Sequence, residues 1–202
     1  MKTQQFTTLI LGVFGLIAPP SYGETPISAD GYMGVKWGAT LQEAISALPD
    51  FRRAEYTANK NMFHGDIPCD TTLSNGTDTG IISLLFYDGK FIAIHRVLKL
   101  LSLPDGIFLP DGALSDDFRS SLSDLLRTAL TPVAQADSKK VDELNIRIGG
   151  MSPVNSNSNP IEIPIFIENN VLVANAMSKR DEVFNQNRKQ FLDTLAEKIL
   201  TP

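Results

Sequence analysis

Residues 80–100, GIISLLFYDGKFIAIHRVLKL, constrain this chain more than any other stretch. Asp88-Gly89 sits between two runs rich in β-branched and aromatic residues, the strongest short-range signal for a two-residue hairpin. Such a turn pairs Tyr87 with Lys90, Phe86 with Phe91, Leu84 with Ala93 and Ile82 with His95. One face of the ribbon then carries Ile82, Leu84, Phe86, Phe91, Ala93 and Val97. The other carries Ile81, Leu85, Ile92, Ile94 and Leu98. A ribbon apolar on both faces has to be covered on both, so it belongs inside a sheet with a layer on each side.

Other stretches add strands. Residues 32–37, YMGVKW, read as a short strand ended by Gly38, and residues 53–64 read as extended. ELNIRI, residues 143–148, is a further strand. IEIPIFIE, residues 161–168, alternates strictly, with Ile161, Ile163, Ile165 and Ile167 on one side. Asn169-Asn170 supplies turn chemistry, so residues 171–177, VLVANAM, are expected to return as its hairpin partner. Pro164 lacks the N–H of a ladder, which assigns strand 161–168 to a sheet edge.

Helices fall between the strands. Thr40 and Glu43 form a capping box, and Leu41, Ala44, Ile45 and Leu48 give an apolar face that Pro49 ends. Ser115, followed by Asp116 and Asp117 at the positive end, caps a helix whose stripe is Phe118, Leu122, Leu125, Leu126, Ala129 and Leu130. Ser178 is expected to cap the last helix, over 179–200. Its buried side would hold Val183, Phe184, Phe191, Leu192, Leu195, Ala196, Ile199 and Leu200. Two LPDG tetrapeptides, 103–106 and 109–112, are turns. Strands in hairpins with helices between them make an α+β fold, a mainly antiparallel β-sheet built from hairpins with about three helices packed on it.

The N-terminal segment is of another kind. Lys2 is the only charge before Glu24, residues 6–18 (FTTLILGVFGLIA) are apolar, and Ser21-Tyr22-Gly23 puts small residues where a signal peptidase reads. Residues 1–23 therefore read as a signal peptide and 24–202 as a single domain, long enough to bury its own core. The apolar run falls short of the ~20 residues of a membrane span. No later stretch is apolar for as long, so no integral membrane segment is expected after cleavage. The expected location is periplasmic or secreted. There a lone cysteine permits no internal disulfide, and packing has to hold the domain together. A formal net charge of −5 and the lack of any basic run exclude nucleic acid as the natural partner.

FHGDIPCD, residues 63–70, gathers one of the two histidines, the only cysteine and two aspartates. A thiol enzyme would use Cys69 with His64 or His95 as base, and it needs a cation or a helix N-terminus to lower the thiol pKa. Asp66 and Asp70 act in the opposite sense, and Gly65 and Pro68 mark a turn. A zinc set from His64, Cys69, His95 and Asp66 or Asp70 lacks the close ligand spacing of a structural site. Neither G-x-S-x-G nor a glycine-rich phosphate loop is present. No metal and no cofactor are expected.

The polar loop GGMSPVNSNSNP is the candidate binding element, through Gly149, Gly150, Met151, Ser152, Pro153, Asn155, Asn157 and Asn159. Exposed loops on a rigid sheet are where recognition concentrates. The expected role is non-catalytic protein binding in the cell envelope, as an inhibitor or immunity-type protein acting on an envelope enzyme. An acidic domain suits a basic partner. The alternative is a hydrolase or thiol enzyme built on Cys69 with His64 or His95.

Overall fold

A computed structural model describes residues 27–55, 62–64, 66–77, 80–100, 114–130, 142–149 and 161–200. Residues 1–26, both LPDG tetrapeptides and all but Gly149 of the polar stretch 149–160 lie outside these residues. The described elements are β1 (Ile27–Ser28), β2 (Gly31–Tyr32), β3 (Val35–Lys36), α1 (Leu41–Ala47), β4 (Arg52–Glu55), β5 (Met62–His64), β6 (Ile67–Cys69) and β7 (Thr71–Thr77). They continue with β8 (Gly80–Tyr87), β9 (Lys90–Leu100), α2 (Asp116–Leu130), β10 (Leu144–Ile148), β11 (Ile161–Asn169) and α3 (Asn170–Leu200). The fold is α+β. A six-stranded antiparallel sheet runs in the order β10-β11-β9-β8-β7-β4, beside a three-stranded sheet of β1–β3 and a β5–β6 hairpin.

The hairpin read from Asp88-Gly89 is the centre of this sheet. Asp88 and Gly89 both have positive φ, at 50° and 71°, as a type I′ turn requires. Tyr87 pairs with Lys90 and Phe86 with Phe91, as the sequence implies. Beyond them a β-bulge changes the count: Leu85 pairs with Ala93, Leu84 with Ile94, Ser83 with His95 and Ile82 with Arg96. The extra residue reverses the parity of β9, since side chains alternate with a period of two. Ile94 and Leu98 therefore join Phe91, Ile82, Leu84 and Phe86 in one core, while Ala93 and Ile92 join Leu85 in the other. The expected faces had Ala93 exchanged with Ile94 and Leu98, while Ile92 lies with Leu85 as expected.

Strand 161–168 is not an edge. It pairs with β9 on one side and β10 on the other. The proline is accommodated by position. The Pro164 carbonyl accepts from the Gly149 N–H (2.8 Å), so its missing donor points the same way, toward β10, at the point where the regular pairing of β10 stops after Ile148. A strand-interior proline is tolerated where no ladder bond is waiting for it.

The expected return strand 171–177 is helix instead. The Asn169 carboxamide oxygen accepts the Leu172 N–H (3.1 Å), the bond of a helix N-cap to its third residue. Both edges of β11 are already occupied, which leaves residues 171–177 no ladder to join. α3 consequently starts at Asn170 and runs 31 residues, with Ser178 in its interior.

The sheet separates two cores. On its first face β1–β3, α1 and α2 cover Leu73, Leu84, Phe86, Phe91, Ile94, Ile163, Ile165 and Ile167. The Trp37 indole stacks on Phe91 (4.6 Å between centroids) and donates to the Ala29 carbonyl (2.9 Å). The Thr40–Glu43 capping box of α1 is formed, as both side chains accept the other's backbone N–H. On the second face β6 and the first turns of α3, through Leu172, Val173 and Ala176, cover Leu85, Ile92, Ala93 and Phe166.

Candidate functional site

Cys69 is placed in the smaller core. It is fully buried among Ile67, Leu85, Ile92, Ala93 and Phe166. Its Sγ donates to the Thr71 carbonyl (3.2 Å). Burial pushes the thiol pKa up to about 12, with the Asp70 carboxylate acting in the same direction and backbone bonds from Phe86 and Thr71 opposing. A thiol so placed stays protonated at neutral pH, the reverse of what a nucleophile needs. The backbone of His64 lies on β5, opposite Ile67 of β6, and its side chain is outside the described residues. Among the described residues no group of three or more His, Cys, Asp and Glu is arranged to hold a metal ion.

His95 belongs to a different arrangement. It sits opposite Ser83, not Ile82, because of the bulge. Register then aligns one residue from each strand across the whole second face: Arg147, Phe166, His95, Ser83, Ser74 and Arg52. The His95 imidazole stacks on the Phe166 ring, 4.4 Å between centroids and 7° from parallel. The Arg147 guanidinium lies 5.4 Å from the centre of that same ring and pairs with the buried Glu168 carboxylate. The Ser74 and Ser83 hydroxyls share a hydrogen bond of 2.8 Å. The flat stack holds the imidazole parallel to Phe166, and the shared hydroxyl bond ties β7 to β8. No sequence signal marks this row, because it exists only once β9 lies between β11 and β8 with a bulge in place.

Among the described residues, the most exposed large apolar side chains are on α3. The helix is anchored by Leu172, Val173 and Ala176, and Lys179 pairs with Asp88 of the β8–β9 turn. Beyond Arg180 it leaves the domain, and every described residue from Asp181 to Thr194 is exposed. The expectation that Val183, Phe184, Phe191 and Leu192 are buried is overturned. Their exposures are 42, 56, 66 and 51 per cent. A helix rises 1.5 Å per residue, so the stretch from Asp181 to Leu200 reaches roughly 30 Å. Phe184 and Phe191 lie in line with Val173, so the face that binds the sheet continues past it with no sheet beneath. The candidate loop contributes Gly149 alone to the described residues; Gly150, Met151, Ser152, Pro153, Asn155, Asn157 and Asn159 lie outside them. No helix among the described residues is long and apolar enough to cross a membrane.

Compared with known proteins, the chain matches no family model, no curated protein and no solved structure.

Proposed function

We propose that this protein is an exported domain that acts by contact with another protein of the cell envelope and not by catalysis, with the outer half of α3 as the contact. The observation that carries this reading is the row of large apolar side chains, two phenylalanines among them, held in solvent on a helix that projects from the sheet. Isolated exposed apolar residues are ordinary, but several on one helical face mark a binding surface. The deeply buried, protonated Cys69 supports the same reading, as does the secretory pattern of residues 1–23. An inhibitor or immunity-type role toward an envelope enzyme fits the acidic balance of the chain.

Cross-linking in intact cells tests it. The full chain is compared with a Phe184→Asp/Phe191→Asp variant, whose substitutions fall on exposed positions. A cross-linked protein product formed by the first and lost in the second is expected. No product with the unaltered chain sinks the reading.

A further inference from the structure

We infer that the first turns of α3, from Asn170 to Arg180, are a releasable cover over the second core. They lift off the sheet about a pivot at Asn169 and Asn170 while the first core stays folded. The inference holds whatever the projecting half of the helix contacts.

The two cores are unequal. Among the described residues, 22 buried apolar side chains form the core on the first face and seven form the core on the second, with the sheet between them. Local opening of a folded protein takes the units with the fewest buried apolar contacts. The second core is that unit here.

Its two covers are held differently. β6 runs through Asp70 directly into β7 of the central sheet. The Asp70 N–H donates to the Phe86 carbonyl (2.9 Å), and the Asp70 carboxylate accepts the Asp88 N–H (2.7 Å). β6 also supplies two fully buried side chains, Ile67 and Cys69. α3 touches β6, β9 and β11. It supplies one buried side chain, the small Ala176, and two half-buried ones, Leu172 and Val173. Farther along, Lys179 pairs with Asp88, and their side chains are 56 and 62 per cent exposed. An ion pair that open to water contributes little.

The start of the helix is fixed more firmly. The Asn170 N–H donates to the Glu143 carbonyl (2.8 Å), and Asn169 is buried at the end of β11. A helix fixed at its first residue and weakly held beyond it turns about that first residue, as element-terminal hinges do. From Asn170 to Arg180 the helix covers roughly 15 Å of sheet, and from Asp181 onward roughly 30 Å projects past it. A load on the projecting end therefore acts on the cover through the longer arm.

The chain carries a reporter in each core. Cys69 lies in the second core with Ala176, and the only tryptophan, Trp37, stacks on Phe91 of the first. The experiment follows iodoacetamide labelling of Cys69 in the folded full chain at low urea, beside Trp37 fluorescence for global unfolding. Labelling is expected to exceed what the unfolded fraction allows by about a hundredfold or more. It is also expected to change little with urea, because lifting one helix exposes little surface. Leu172→Ala weakens the cover and is expected to speed labelling about tenfold. Val173→Ala makes the same comparison where Leu172→Ala does not fold, which circular dichroism reads. Ile165→Val weakens the first core alone. It is expected to raise the unfolded fraction about fivefold and to leave native labelling unchanged. Labelling that rises with the unfolded fraction in Ile165→Val overturns the inference, because Cys69 is then reached only by global unfolding. Labelling indifferent to the loss of Leu172 or Val173 overturns it as well, because the opening then lies away from α3.

Discussion

Cys69 offers the sharpest quantitative test of how this protein is built. Its thiol pKa is about 12, against 9.0 for the free group, because it is buried in the smaller core. Three units lower the thiolate population about a thousandfold at neutral pH, and the thiolate is the species that reagents attack. Alkylation of the native protein is therefore expected to run at least about a thousandfold slower than in denaturant, as steric closure adds to the ionisation effect. The same shift ties stability to pH. Below pH 9.0 neither the folded nor the unfolded chain ionises this thiol, so its full contribution is present. Above that value the unfolded chain releases a proton that the folded chain retains. Stability then falls by about 1.4 kcal/mol per pH unit until the folded group itself titrates. Cys69→Ser keeps a donor for the Thr71 carbonyl and is expected to cost about 1–2 kcal/mol at pH 7.5. Between pH 9 and 10.5 the parent is expected to lose about 2 kcal/mol more than the variant. Tyr32 and Tyr87 also have raised pKa values and act in the same sense, but both proteins share them. The assays are timed alkylation read by mass spectrometry and urea unfolding at three pH values. Native alkylation within tenfold of the denatured rate, or parallel stability curves for parent and variant, refutes the buried, protonated thiol and returns Cys69 to candidacy as a nucleophile.

Other substitutions probe the sheet and its helix. Asn169→Ala removes the cap of α3 and is expected to lower stability by about 1 kcal/mol in urea unfolding; an unchanged midpoint would show that capping does not set the strand-to-helix switch. Gly80→Ala places a Cβ 1.8 Å from the Val97 carbonyl oxygen at a φ of 136°, so a loss of about 3 kcal/mol or more is expected, and a normal melting temperature contradicts the strand approach described. Glu168→Ala strips the buried carboxylate from Arg147, whose side chain is 36 per cent exposed and regains some water, so about 2 kcal/mol is expected from thermal melts. A loss under about 0.5 kcal/mol would mean that the pair is solvated in both states.

Local chemistry in the chain was sufficient for some of this. Asp88-Gly89 dictated a type I′ turn because both residues tolerate positive φ, and the doubly apolar ribbon around it had to be central. Thr40 and Glu43 dictated the cap of α1, and the alternation of Ile163, Ile165 and Ile167 put them on one face. Those outcomes depend on groups a few residues apart. The bulge opposite Leu85 was not legible, since strict alternation is equally consistent with no bulge, and only packing on both faces selects one parity over the other. Pro164 argued for an edge because the ladder end that excuses it belongs to β10, far away in sequence. Asn169 can serve a turn or a cap, and the choice was made by the strands already flanking β11. The apolar positions of α3 were visible as a stripe, and their exposure was not. Amphipathicity states that a face must be buried somewhere, but only the fold shows that the sheet covers this helix at Leu172, Val173 and Ala176 and not beyond Arg180. Position relative to the sheet is a long-range property, and it alone separates a core helix from one that reaches out.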